Sequence, residues 1–558
     1  MIERPPKFGS KHFWDYLTPA FRGDPVMALV GLYWMATRRR VRGWARLMIA
    51  VASAPVNYAR WIRHGEARAL ADFRRSHSAG KNEKSVIVLL IGEAAEAGIA
   101  DSLASVRAAL GTAVPVYSTR GGLDGIRSLA GATNDLSSVL TELDLEHGSA
   151  WLLPLQAGDR LSPQLCDVLQ RFDEGDASII YWDEDSIEGS KRSGPWVKPD
   201  WDALLFGRLG GLAGASIARL SVAAKAARSM GNQAVDVPDI ERLIMDGIAV
   251  VPGTPAHIPL ILTHRSRNPI RQRSCRALTN EPTNWPSVSI IVPTRDKPEL
   301  LAACLRGIER TAYPGELETI VVDNGSCDPA AIRILNQLES NPRARLVRDD
   351  SPFNFSRLNN QAARIARGDV LCLLNNDVEP LDATWLTGLV PYVLNEDVGA
   401  VGAQLLYPSG RIQHAGVAIG IGGAAGHVQK GVDPADQRFW TWHAVTRQVS
   451  AVTAAVMVVR ESVFAEVGGF DEDFAVAFND VDFCLRLKQR GLRNIYVADV
   501  RLIHRESESR GQDRTPEQVS RFASELAQLQ ERWGTEDYSD PHFSPLFSRL
   551  VERCVLRP

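Results

Sequence analysis

The chain has 558 residues, 45% hydrophobic and 23% charged, with a formal net charge of -3. The composition is globular, the length suggests roughly two to four domains, and the charge gives no overall field that favours nucleic acid. Seven cysteines without a CxxC pair argue against a structural zinc site or a disulfide scaffold and suit a reducing compartment.

The first 83 residues are a basic, aromatic lead-in, with Arg38, Arg39, Arg40, Arg42 and Arg46 among Trp34, Trp44 and Trp61. Such a segment suits an anionic membrane surface and equally a docking helix with a solvated basic face. The apolar piece LMIAVASAPV is too short to span a bilayer, and no run of about eighteen apolar residues occurs elsewhere. Residues 1–25 lack the apolar core of a signal peptide. The expected location is therefore cytoplasmic, with peripheral contact at the inner face of the plasma membrane.

From residue 84 the pattern alternates. SVIVLLIG reads as a strand, DSLASVRAAL as a helix, VPVYSTR and AWLLPL as strands, and ASIIYWDEDS and IPLILTHR complete a βα series over 84–267. Residues 268–286 are basic, polar and proline-bearing and read as a linker. A second series fills 287–511: VSIIVPT, a helix, ETIVVDNGS, a helix, ARLVRDD, a helix over 359–367, and the central strand in VLCLLNNDVEP. Residues 512–558 hold an amphipathic helix over 515–533 and a tail.

The two series follow one plan, ending in His264-Arg265 and His504-Arg505, and read as an internal duplication. Their chemistry differs. The first has VYSTRGG where the second has VVDNGS, and LLPLQAGD, with Asp159 displaced, where the second has LLNNDVEP. It also lacks a full counterpart of the NDVDFCLR helix. The first copy is therefore expected to be degenerate and non-catalytic.

In the second copy Asp323 and Asp377 follow strands, Asp480 opens a helix and His504 ends the last strand. At the carboxyl edge of an open α/β sheet these groups converge. Carboxylate with imidazole suits manganese or magnesium on a diphosphate, and a further carboxylate suits proton removal from an attacking hydroxyl. Asp480 and Asp482 would also complement a helix dipole. Trp440, Trp442 and His443 offer either a sugar platform or core packing.

The segments VSIIVPTRDKPELLAACL, IVVDNGS, FNFSRLNNQAARIARGDVLCLLNNDVEP, VGGFDEDFAVAFNDVDFCLR and HRESESRG resemble glycosyltransferase family 2 with its GT-A fold, across residues 286–511. Within it they look most like bacterial enzymes of O-antigen, capsule or exopolysaccharide synthesis. The first copy resembles the family weakly, through IIYWDEDS, WVKPDW and LTHR. The fold implied is α/β, with tandem Rossmann-like, doubly wound, mostly parallel sheets. The resemblance puts donor binding on Pro293, Thr294, Arg295 and Asp323. It puts the metal motif on Asn375, Asn376 and Asp377, with asparagine in place of the first acid, and the family's metal-binding histidine on His504. It puts the catalytic acid pair on Asn479 and Asp480, again asparagine first, with Asp480 as general base. Ser507, Ser509 and Arg510 would lie near the phosphates, and Trp440 and Asp482 are acceptor candidates.

The reaction implied is inverting transfer of a sugar from a nucleotide-diphosphate donor to a glycan or lipid-linked glycan, with Mn2+ or Mg2+. Two other readings remain: a non-catalytic glycan- or nucleotide-binding scaffold, and a sugar nucleotidyltransferase. The second of these usually needs a glycine-rich loop, and VPTRDKPELL lacks one.

Overall fold

The computed structural model describes residues 11–52, 54, 57–78, 84–118, 124–129, 135–230, 237–250, 253–266, 281–505 and 515–557. Contacts divide the chain into two units. One comprises Ala54–Arg276 with Phe543–Phe547 and Leu556–Pro558, and the other Met1–Ser53, Ala277–His542 and Ser548–Val555.

The first unit is built on a nine-stranded sheet. In spatial order the strands are Arg127–Ser128, Val116–Ser118, Val86–Ile91, Trp151–Gln156, Ser216–Arg219, Ile179–Glu188, Ala256–Arg265 and Arg160–Leu161, with Lys191–Trp196 paired to Ile179–Glu188. The second unit has a ten-stranded sheet in the order Ala344–Arg348, Leu317–Asp323, Val288–Thr294, Val370–Leu374, Val456–Arg460, Val398–Leu406, Arg493–His504 and Val378–Pro380, with two short side strands. The two orders match strand for strand along the chain. Both sheets are mixed, because Ser216–Arg219 and Val456–Arg460 run antiparallel to both neighbours. The parallel expectation holds for the run from Val116–Ser118 to Trp151–Gln156 and for its counterpart.

Val370–Leu374 is buried at every residue, as a strand covered on both faces must be. Its Leu371 and Leu373 pack with Ile291, Ile320 and Met457 in the core. The helix expected over 359–367 runs over Phe355–Ala363, because Asn354 caps it by accepting the Arg357 N–H at 2.9 Å.

Two readings of the first copy are corrected. A helix, Val237–Val250, stands between Leu220–Met230 and the last strand, where Asn479–Gln489 stands in the second copy. Nor is Asp159 displaced. Arg160 pairs with His264 as Val378 pairs with His504, so Asp159 and Asp377 occupy the same place, one residue before the short edge strand. The strand ends differ in sequence, QAGD against LNND, and hid the shared register.

Helices α1 (Lys11–Gly23), α2 (Pro25–Ala36) and α3 (Arg40–Ala52) form a small bundle whose core includes Phe13, Met35, Trp44 and Leu47 and which packs on Val551 and Val555. Gly31 and Gly43 let α2 and α3 approach, since a Cβ on Gly43 would stand 2.6 Å from the Gly31 carbonyl oxygen. Among the described residues no helix is long and apolar enough to cross a membrane.

Candidate functional site

A cleft of about 650 Å³ opens at the carboxyl ends of Val288–Thr294 and Val370–Leu374, a size suited to a small-molecule ligand. Pro293, Thr294 and Arg295 line it, as do Asn375, Asn376, Asp377, Asp480 and His504. The topology explains this meeting, because strand ends far apart in sequence share one edge.

Asp377 and His504 are brought together by the pairing of Val378 with His504. Both are nearly buried, and Asp377 Oδ1 lies 3.3 Å from His504 Nε2. His504 Nδ1 and Asn375 Oδ1 are buried and have no hydrogen-bond partner among the described residues. A carboxylate, an imidazole and an amide oxygen are the hard and borderline donors that magnesium or manganese takes, with the remaining positions left to phosphate oxygens and water. These residues therefore fit a divalent cation. Among the described residues no three His, Cys, Asp or Glu side chains gather to hold one unaided. Asn376 has another task, since its Nδ2 donates to Thr294 Oγ1 at 2.9 Å and ties two strand ends together.

Asp480 lies across the cleft, in the first turn of Asn479–Gln489. Its Oδ2 accepts the Ala454 N–H at 3.1 Å and its Oδ1 the Val481 N–H at 2.8 Å. Burial raises its pKa above the usual carboxylate value, against the lowering effect of hydrogen bonds from Ala454, Val481 and Thr453. Phe478 enters the helix at φ +62°, a conformation uncommon for a bulky residue. The turn is held from outside: Glu525 of the C-terminal helix Pro516–Trp533 accepts the Val476 and Ala477 N–H groups at 3.0 and 2.9 Å. Asn479 accepts the Asp480 N–H at 2.8 Å and donates to the Val476 carbonyl.

After the strand Val288–Thr294 the chain turns through Asp296 and Lys297 at φ +54° and +53°. Asp296 holds this turn by accepting the Cys327 and Asp328 N–H groups at 2.7 and 2.8 Å. Those bonds, the Asp328 one first, keep its carboxyl below the usual range. Arg295 and Lys297 are left exposed on the cleft.

Three expected contacts fall elsewhere. Asp323 stands beside Thr294 in register, but its Oδ1 is occupied by Ser326 N and Oγ at 3.0 and 2.5 Å, and it does not line the cleft. It shapes the DNGS turn. Asp482 is fully buried and pairs with Arg486 at 2.7 Å and Arg532 at 2.9 Å. Two residues beyond Asp480 on a helix, it faces away from the cleft. Trp440 belongs to a short 3-10 turn and does not line the cleft; neighbouring Trp442 is buried against Arg447. Ser507, Ser509 and Arg510 lie outside the described residues.

Sequence reasoning missed Phe353, Phe355, Lys297, the loop Thr453–Ala455, and Gln518 and Arg521 of the C-terminal helix, all of which line the cleft. Phe353 and Phe355 flank the helix cap in SPFNFSRLNN, which was a usable signal. Glu525 had none, because an acid on an amphipathic helix normally faces water.

In the first copy the counterpart positions are closed. Asp159 is buried and bound by Arg265 Nη1 at 3.0 Å and by Ser266 N at 2.8 Å. Arg265 Nη2 also meets Glu184 at 2.7 Å. Burial works against the Arg265 charge, but Glu184 and Asp159 outweigh it and hold the group charged. Burial raises the Asp159 pKa despite Arg265. His264 Nδ1 is 2.6 Å from Asp185. On Val237–Val250, Glu241 takes three N–H groups from Gly211, Leu212 and Ala213, just ahead of the strand Ser216–Arg219.

The mixed α/β sheet of the second unit, with a cleft at its carboxyl edge, accords with the expected GT-A fold. Residues 289–465 match the family model Glycosyl transferase family 2. The chain is 36% identical over 444 residues to the protein y4gI of Sinorhizobium fredii, covering 71% of this chain and 48% of that one. It is 33% identical over 459 residues to the O-antigen biosynthesis protein RfbC of Myxococcus xanthus, covering 72% and 34%. It is 30% identical over 150 residues to an N-acetylglucosaminyltransferase of Bradyrhizobium elkanii, covering 24% of this chain and 82% of that one. The chain belongs to glycosyltransferase family 2. It spans about half and about a third of the length of the first two relatives.

Proposed function

We propose that the second unit transfers a sugar, with inversion, from a nucleotide-diphosphate donor to a hydroxyl of a growing bacterial surface glycan. The observation that carries this reading is Asp480, a partly exposed carboxylate with a raised pKa, in the same cleft as Asp377 and His504. A carboxylate pushed above its ordinary value is a stronger base for an acceptor hydroxyl. Its two backbone hydrogen bonds fix its direction, so the acceptor oxygen attacks the anomeric carbon as Asp480 Oδ takes its proton. A single displacement of this kind inverts the centre. RfbC is named for O-antigen biosynthesis, which supports a surface polysaccharide as the product; the acceptor in this reading is a lipid-linked glycan at the inner face of the membrane.

Asp377, His504 and Asn375 would hold the divalent cation, Mn2+ or Mg2+, whose chemistry is to neutralise charge on the departing diphosphate. Arg295 and Lys297 are placed to bind phosphate oxygens, and Phe353 and Phe355 to cover the donor. Nucleotide-sugars are to be screened for binding and for donor hydrolysis, with Mn2+ and with excess chelator. Cation-dependent hydrolysis of one donor is expected. Binding without hydrolysis would favour a non-catalytic scaffold, and full turnover in chelator would remove the cation from the reading.

A further inference from the structure

Helix α2, PVMALVGLYWMA, contains no charged residue. Its inner face, Ala28, Gly31 and Met35, is buried. Its outer face is also apolar: Val26, Leu29 and Tyr33 recur along one side and are 69%, 58% and 67% exposed. Trp14 of α1 is 55% exposed and Phe21 38%. A helix apolar all round is normally enclosed, and a patch of this kind marks a protein or membrane contact. Twelve residues make a helix of about 18 Å, too short for a hydrocarbon core of about 30 Å, so α2 suits the interface and not the interior.

The rim identifies the partner. Arg38, Arg39, Arg40, Arg42 and Arg46 are exposed at the α2–α3 turn and along α3. The Arg39 and Arg42 guanidinium groups lie over the Trp34 ring at 5.0 and 5.6 Å. Asp15 and Asp24 are the only acids of residues 11–52, and Asp24 caps α2 by accepting the Met27 N–H. Anionic headgroups complement such a rim, whereas a second copy would set arginine against arginine.

We propose that α1 and α2 dock the chain on an anionic bilayer, with Val26, Leu29, Tyr33 and Trp14 entering the headgroup layer and the arginines at 38–46 binding the lipid charge. This deepens the placement at a membrane given above and does not depend on the chemistry of the cleft. The test is flotation of the full chain with phosphatidylcholine vesicles, with and without phosphatidylglycerol, at low and high salt. The chain is expected to float with anionic vesicles and to be released by salt. Replacing Val26, Leu29 and Tyr33 by Ser should lower partitioning at least about tenfold, and replacing Arg38, Arg39, Arg40 and Arg42 by Gln should do so as well. Donor hydrolysis in solution should be unchanged in both variants. Loss of hydrolysis in the parent chain would overturn the transferase reading and leave docking standing. Equal binding to neutral and anionic vesicles would overturn docking, as would unaltered binding by either variant. So would a parent chain that ignores vesicles and forms a dimer which the Ser variant breaks.

Discussion

The two copies share a strand order and differ in what meets the aspartate before the edge strand. In the second copy Asp377 faces His504 in an open cleft. In the first, Asp159 faces Arg265, a cation supplied by the chain itself. The opposite wall differs in the same way. Asp480 accepts one N–H from the loop before the strand Val456–Arg460 and stays on the cleft, while Glu241 is held by three N–H groups. One scaffold thus carries an open acidic site and a self-neutralised one, and the difference lies in a few side chains. A buried carboxylate must have a partner; in the first copy an internal guanidinium provides it, and in the second the His504 imidazole lies beside it.

Substitutions test this contrast, and the largest effect is expected at Asp480. Asp480→Asn removes basicity and keeps shape, so transfer should fall at least about a hundredfold with donor affinity little changed. The acid limb of the rate should lie above the ordinary carboxylate pKa of about 3.9, because burial raises this group. The same shift sets a sign for stability. An acid whose folded pKa is raised loses folding stability as pH rises from its unfolded toward its folded value, so Asp480→Asn should be no less stable than the parent at neutral pH, as thermal unfolding would show. A wild-type rate in this variant would remove the functional difference between Asp480 and Glu241.

Asp377→Ala should lower transfer and donor binding together, by roughly ten- to a hundredfold, with partial recovery at high Mn2+. Titration of donor affinity against the cation checks this. Glu525→Gln should loosen the turn before Asp480 and lower kcat by about tenfold with KM for the donor retained. If KM alone changed, the C-terminal helix would serve binding instead of alignment.

The smallest effect on transfer is expected in the first copy. Arg265→Met takes the cation from buried Asp159 and one partner from Glu184, which keeps Lys198 at 3.2 Å, and should destabilise the first unit by about 3–5 kcal/mol, while the transfer rate per folded molecule stays unchanged. Combined Asp159→Asn and His264→Ala should likewise spare transfer. Loss of activity in a folded form of either variant would show that the first copy takes part in the reaction.

Much was legible in the chain itself. VLCLLNNDVEP announces a buried strand ending in polar groups, because burial on both faces demands a continuous apolar run and strand ends do not. The duplication was visible as two series of that kind, each ending in His-Arg. Local pattern placed Asp377, Asp480 and His504 at element ends, where the structure unites them in one cleft. It could not separate Asp480 from Asp482, since both lie in one helical turn; the Arg532 and Trp533 partners of Asp482 decide that. Nor could it show that Asp159 has the register of Asp377, that Arg265, 106 positions away, neutralises it, or that Glu525 holds the turn before Asp480. Periodicity and capping are read among neighbours a few residues apart, so sequence alone established the elements and their ends. Ion pairs and hydrogen bonds between distant segments form only when the sheet closes, so the tertiary structure decided which acids face the cleft and which are already paired.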